Sequence, residues 1–186
     1  MNRSHLEHII RAASGITNQA DIVVIGSQAI LGQFPEAPPD LLISMEADVF
    51  PLHRPDLSLQ VDGAIGERSL FHETFGYYAH GVDGTTAVLP AGWDARLVPI
   101  RNPNTSGATG WCLEVHDLAA SKLVAGREKD LDFVRILLAH DMVRSETLAK
   151  RIAALPLTPE DLTLIQERLR RIEPRENRIR PGDGSC

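Results

Sequence analysis

Apolar positions in this chain follow two rhythms, helical spacing toward both ends and short β-branched runs between them. In SHLEHIIRAA, residues 4–13, Leu6, Ile9 and Ile10 share one side of an amphipathic helix, with Ser4 as cap and Ser14-Gly15 as stop. Residues 22–25 read as a short buried strand that breaks off at Gly26-Ser27. Gly26 lets the chain turn sharply, and the Ser27 hydroxyl caps a helix beginning Gln28-Ala29-Ile30-Leu31. The prolines of FPEAPPD make a loop, and LLIS-MEADVFPL reads as a second, apolar strand that Pro51 stops.

Residues 52 to 110 are weakly periodic. PDLSLQVDGAIGERSLFHETF suggests a short helix and a loop, while GVDGTTAVL and ARLVPIRN read as strands. Asp83-Gly84 predicts a hairpin turn between YYAHGV and TTAVL. The loop NPNTSGATG leads to a further short strand, WCLEV. From His116 helical spacing returns. Leu118, Leu123 and Val124 pack one helix, and Leu131, Val134, Leu137 and Leu138 a second. SETLAKRIAAL is a third, and LTPEDLTLIQERLRRI a fourth, opened by Thr158 as cap and Pro159 at the first helical position. The order predicts an α+β fold, with a mixed core over 1–112, a helical part over 113–174 and a disordered tail over 175–186.

Composition narrows the class. At 186 residues and 43% hydrophobic, the chain has enough apolar material for a packed core. No apolar run approaches the roughly 20 residues that span a bilayer. MNRSHLEHIIRAASG breaks its apolar positions with His and Glu, unlike a secretory signal. Cys112 and Cys186 form no disulfide framework, so a cytoplasmic protein with Cys112 in its core is expected. A formal charge of −6 argues against a non-specific nucleic-acid coat. Arginines do gather in ERLRRIEPRENRIR, at Arg168, Arg170, Arg171, Arg175, Arg178 and Arg180. That run is either a solvated helix face ending in a frayed tail or a patch for RNA or nucleotide.

Two segments carry candidate chemistry. A strand, a Gly-Ser turn and a helix aim backbone N–H groups and a hydroxyl at one point, a geometry suited to an anion. In SMEADVFP, a strand would put Glu46 and Asp48 on one face. Paired carboxylates repel unless one is protonated or a cation lies between them, and oxygen ligands suit Mg²⁺. The alternative is an ordinary exposed edge strand. The histidines show no HExxH or CxxC spacing, which speaks against a zinc site, and no GxSxG or Walker pattern occurs.

Together these segments resemble the minimal nucleotidyltransferase superfamily, with Gly26-Ser27 in its Gly-Gly/Gly-Ser position and Glu46-Ala47-Asp48 in its Asp-X-Asp position. HDLAASKLVAGREKDLDFV resembles the helical motif of the AbiEii-type toxin members. There Lys122 matches a lysine on one helix, and Lys129-Asp130 a basic-acidic pair on the next. GSQAI, EADVFP, FGYYAHGV, VLPAGW and DLAASKLVAGREKD, in that order, are similar to an uncharacterised bacterial nucleotidyltransferase-fold family.

The resemblance implies a mixed β-sheet with flanking helices and Mg²⁺- or Mn²⁺-dependent transfer of a nucleoside monophosphate from an NTP to a hydroxyl. Gly26, Ser27, Lys122 and Lys129 would bind nucleotide, Glu46 and Asp48 would hold metal, and Lys122 and Asp130 would complete the catalytic set. It implies tRNA, a protein or a small molecule as acceptor, and an antitoxin-type partner in a toxin or phage-defence pair. Two departures accompany it. Glu46 stands where Asp is usual, and the third carboxylate of active relatives has no clear position, with Asp62, Glu67 and Asp130 as candidates for its role. A catalytically degenerate binding or regulatory protein is therefore the rival reading. Arg127 is a further possible phosphate ligand, and Lys122 could equally be a surface lysine.

Overall fold

The computed structural model describes residues 1–173. Helix α1, Arg3–Thr17, precedes strand β1, Asp21–Val24, which leads through a 3-10 helix, Ser27–Gly32, to β2, Glu46–Pro51. Helices α2, Ser58–Ile65, and α3, Leu70–Phe75, follow, then β3, Tyr78–Gly81, β4, Val98–Ile100, and β5, Thr109–Cys112. The chain ends in α4, Val115–Ala125, α5, Glu128–Ala139, α6, Ser145–Ala153, and α7, Pro159–Ile172. This is a mixed α+β fold with flanking helices and a helical C-terminal part, as the sequence pattern predicts. Among the described residues, no helix is long and apolar enough to cross a membrane.

The strands form one sheet in the order β3-β2-β1-β5-β4. β1 runs antiparallel to β2 and parallel to β5, β2 runs parallel to β3, and β4 runs antiparallel to β5. Side-chain alternation gives the sheet two unlike faces. Ile22, Val24, Ala47, Val49 and Ala79 enter a large core shared with the helices, from Leu6 of α1 to Ile172 of α7. Val23, Ile25, Phe50 and Val82 make only a small cluster on the other face. Gly110 admits α1 to the large core, since a Cβ there would lie 2.3 Å from Ile10.

Several local expectations change. Asn2, not Ser4, caps α1 by accepting from the His5 N–H at 3.0 Å, and the helix runs through Gly15 to a left-handed Asn18. The helix at Ser27 is 3-10, and no side chain caps it. Residues 41–44 are not part of the strand, because Pro39–Leu41 is a 3-10 turn and β2 starts at Glu46. Asp62-Gly63 lies inside α2. The hairpin at Asp83-Gly84 does not form. Asp83 instead accepts from the Thr85 N–H at 2.7 Å in a local turn, and β3 pairs with β2. Leu89 is buried in the core and Ala91 N–H donates to the Ala154 carbonyl, so packing against the C-terminal helices wins over pairing with β3. The fourth C-terminal helix opens as expected, with Thr158 accepting from the Asp161 N–H at 3.2 Å and Pro159 at its start. Cys112 is buried, which pushes its thiol up to about 12. Residues 174–186, with Arg175, Arg178, Arg180 and the expected tail, lie outside the described residues.

Candidate active site

β2 and β3 build the acidic half of the site. Their parallel register sets Glu46 beside Tyr78 and Asp48 beside His80. Val23 pairs with Phe50, and Asp48 lies two residues from Phe50, so all four groups project from the sparsely covered face. His80 Nδ1 is 3.3 Å from Glu46 Oε1 and 3.3 Å from Asp48 Oδ1. One donor atom from each of the three residues fits within 4.8 Å of the others. The Tyr78 hydroxyl donates to Glu46 Oε2 at 3.0 Å.

The electrostatics record carboxylates held close together. Burial, and then the neighbouring Glu46 charge, push the Asp48 carboxyl up to about 6, against the opposing pull of His80. Burial and the bond to Glu46 push the Tyr78 hydroxyl up to about 12. Gly26 closes this half from the β1 side. A Cβ there would lie 2.0 Å from Asp48 Oδ2, while the Ile25 N–H holds the Asp48 carbonyl at 3.1 Å. Its φ is −77°, so the position needs glycine for space rather than for backbone freedom.

The next residue, Ser27, opens on a different environment. It lines a cavity of about 340 Å³ with Lys122 of α4 and Lys129, Asp130 and Phe133 of α5. Asp130 is 1% exposed and anchors the cations from beneath, accepting from Lys122 Nζ at 2.9 Å and from Arg127 Nε at 2.6 Å. Burial works against the charge of Asp130, yet these bonds hold its carboxyl below the usual carboxylate range. Lys122 also lies over the Phe133 ring, 5.5 Å from its centre. Arg127 feels the Asp48 charge as well as that of Asp130, which links the two halves electrostatically. Arg168 donates to the Leu123 and Val124 carbonyls and so caps the end of α4.

Gly26, Glu46 and Asp48 thus meet at one point, and Ser27, Lys122, Lys129 and Asp130 share the adjoining cavity. Asp62 and Glu67 line a further cavity of about 490 Å³ beyond Glu46, with Arg68, Tyr78 and His80. His80 is the residue that sequence reasoning missed. Metal-ligand spacing rules inspect near neighbours, whereas His80 arrives by strand pairing. The signal was the short run Tyr78-Ala79-His80-Gly81, whose alternation matches that of Glu46-Ala47-Asp48-Val49.

A five-stranded mixed sheet with a Gly-Ser turn, paired carboxylates on the next strand and lysines on following helices is the arrangement expected from the resemblance to nucleotidyltransferases. Residues 4–168 match the family described as nucleotidyltransferase of unknown function (DUF6036), and the chain belongs to that family. No curated protein and no solved structure matches the chain.

Proposed function

We propose that this protein transfers a nucleoside monophosphate from an NTP to an acceptor hydroxyl, with Mg²⁺ or Mn²⁺ held by Glu46, Asp48 and His80. The observation that carries the reading is the meeting of a three-donor cluster with a lysine-lined cavity across the Gly26-Ser27 turn. Two carboxylates suit either ion, and the imidazole of His80 is better matched to Mn²⁺. Burial lifts Asp48 most, and the Glu46 repulsion that adds to it is what a divalent ion would relieve. Such an ion, when bound, supplies positive charge to the phosphate oxygens in the transition state.

The chain's own groups account for orientation. Lys122 and Lys129 would bind the β- and γ-phosphates, with Ser27 donating its hydroxyl and Asp130 fixing the direction of Lys122. The acceptor oxygen would bond to the α-phosphorus as the bond to pyrophosphate breaks. Pyrophosphate leaves on the lysine side, and the acceptor's proton passes to solvent.

The resemblance to AbiEii-type toxins supports tRNA or a protein as acceptor, an antitoxin-type partner and a cytoplasmic toxin or defence role. A degenerate, binding-only protein is the second reading, favoured by the occupation of Lys122 Nζ by Asp130. Calorimetric titration of each NTP, with and without Mg²⁺ or Mn²⁺, separates them. The enzyme reading expects metal-dependent binding that falls by about 100-fold in Asp48→Ala. Metal-independent binding, unaffected by that substitution, sustains the second reading.

A further inference from the structure

In-line transfer needs the attacking oxygen opposite the departing pyrophosphate. With the triphosphate on Lys122 and Lys129, that oxygen must approach from the other side of Glu46 and Asp48. The strand order puts the Ser27 turn after β1 on one side of β2 and Tyr78 of β3 on the other. There the cavity of about 490 Å³ opens, lined by Glu46, Asp62, Glu67, Arg68, Tyr78 and His80. Tyr78 supplies the one hydroxyl in that lining. The hydroxyl is also fixed in place. The Tyr78 N–H donates to the Met45 carbonyl at 2.9 Å, in the register that sets Tyr78 beside Glu46. Its ring lies against His72, 4.6 Å between centres, and His72 Nδ1 accepts from the Arg68 N–H at 3.1 Å. The hydroxyl then donates to Glu46 Oε2 at 3.0 Å, while Glu46 Oε1 faces His80 Nδ1 at 3.3 Å. Glu46 thus turns one oxygen to the donor cluster and the other to a hydroxyl proton within its reach.

Resting on the nucleotidyltransferase reading, we propose that Tyr78 is a self-modification site, to which the chain transfers a nucleoside monophosphate from its own bound NTP. A hydroxyl held at the reacting centre acts at an effective concentration that no diffusing acceptor reaches. Self-transfer therefore proceeds whenever an NTP is bound and the cavity beyond Glu46 is empty. The new phosphodiester carries a negative charge, and Arg68 is the exposed cation that meets it in the same lining. The attached nucleoside fills the cavity, so the reaction stops at one nucleotide per chain and closes the route to other acceptors.

In the step itself the phenolic oxygen of Tyr78 bonds to the α-phosphorus. The bond from that phosphorus to pyrophosphate breaks, and pyrophosphate takes its electron pair toward the lysines. The phenolic proton passes to Glu46 Oε2 and from there to solvent.

The test is intact and tandem mass spectrometry of the full chain after incubation with Mn²⁺ and each NTP in turn. Calorimetric titration of the same NTPs reports on the nucleotidyltransferase reading separately. With at least one NTP the chain is expected to gain the mass of one nucleoside monophosphate, located on Tyr78 by fragmentation of the wild-type protein. The rate constant should not change on dilution, because the half-buried hydroxyl belongs to its own site. Tyr78→Phe is expected to lower labelling at least about 100-fold. A tagged Asp48→Ala chain mixed with wild type should stay unlabelled. Metal-dependent NTP binding without any label would overturn the proposal and leave the nucleotidyltransferase reading standing, whereas no NTP binding would overturn both. Label on another hydroxyl, such as Ser27, Ser58 or Thr86 of the neighbouring cavities, would overturn the assignment to Tyr78. So would label that survives Tyr78→Phe or passes to the tagged chain.

Discussion

The lysine cavity and the carboxylate cavity lie on either side of the same donor cluster, yet they are built in opposite ways. On the lysine side the charges stand on a buried counter-ion, since Asp130 is 1% exposed and holds both Lys122 and Arg127. On the carboxylate side Glu67 is exposed, so water rather than a buried group sustains its charge. The first arrangement fixes direction, which phosphates in line for transfer require. The second fixes only sign. Gly26 marks the boundary, because the absence of a side chain there lets Asp48 lie against the turn.

The largest effect expected from breaking this contrast is at Asp130. Asp130→Ala strands Lys122, whose side chain is only 14% exposed, and should cost about 3 kcal/mol in chemical denaturation. Because the carboxyl of Asp130 is depressed in the folded state, its contribution is complete above the ordinary carboxylate value. It is lost as pH falls through the folded one. The wild type should therefore lose its advantage over the variant in acid. A wild-type advantage that does not change with pH would mean the lysine side stands without its buried acid.

Next is the boundary itself. Gly26→Ala should push the Asp48 carboxylate aside and weaken Mn²⁺ binding by about 100-fold, read by calorimetry, with the fold retained by circular dichroism.

Asp48→Asn sharpens the comparison from the other direction. With the Asp48 carboxyl raised to about 6, the metal-free native state binds its proton more tightly than the unfolded chain does. Stability therefore falls as pH rises between the ordinary carboxylate value and about 6. At pH 7 the variant should be more stable than metal-free wild type by about 2 kcal/mol, and this gain should vanish when Mn²⁺ is added. The smallest effect is expected at Lys129, an exposed cation. Lys129→Ala should weaken NTP binding about threefold at low salt and less at high salt.

Much of the site is legible in the order of residues. The β-branched run ending at Gly26-Ser27 marks a strand end, and period-two alternation puts Glu46 and Asp48 on one face. Helical spacing places Lys122 and Lys129-Asp130 on successive helices. Each of these readings depends on residues a few positions apart, where backbone geometry sets the outcome. The Asp83-Gly84 hairpin fails because Asp83 closes a local turn, while Leu89 is committed to the core beyond it.

The sequence by itself thus determined the α+β order, the paired acids, the Gly-Ser turn and the helices that bear the lysines. Tertiary structure alone decided that β3 pairs in parallel with β2, bringing His80 to Asp48. It also decided that Gly26 serves a close approach and that opposite charges collect on opposite sides of one cluster. The physical reason is that the periods of strand and helix are local properties of the chain. Strand partners and cavity linings instead follow from which surfaces bury one another, and that depends on the whole core.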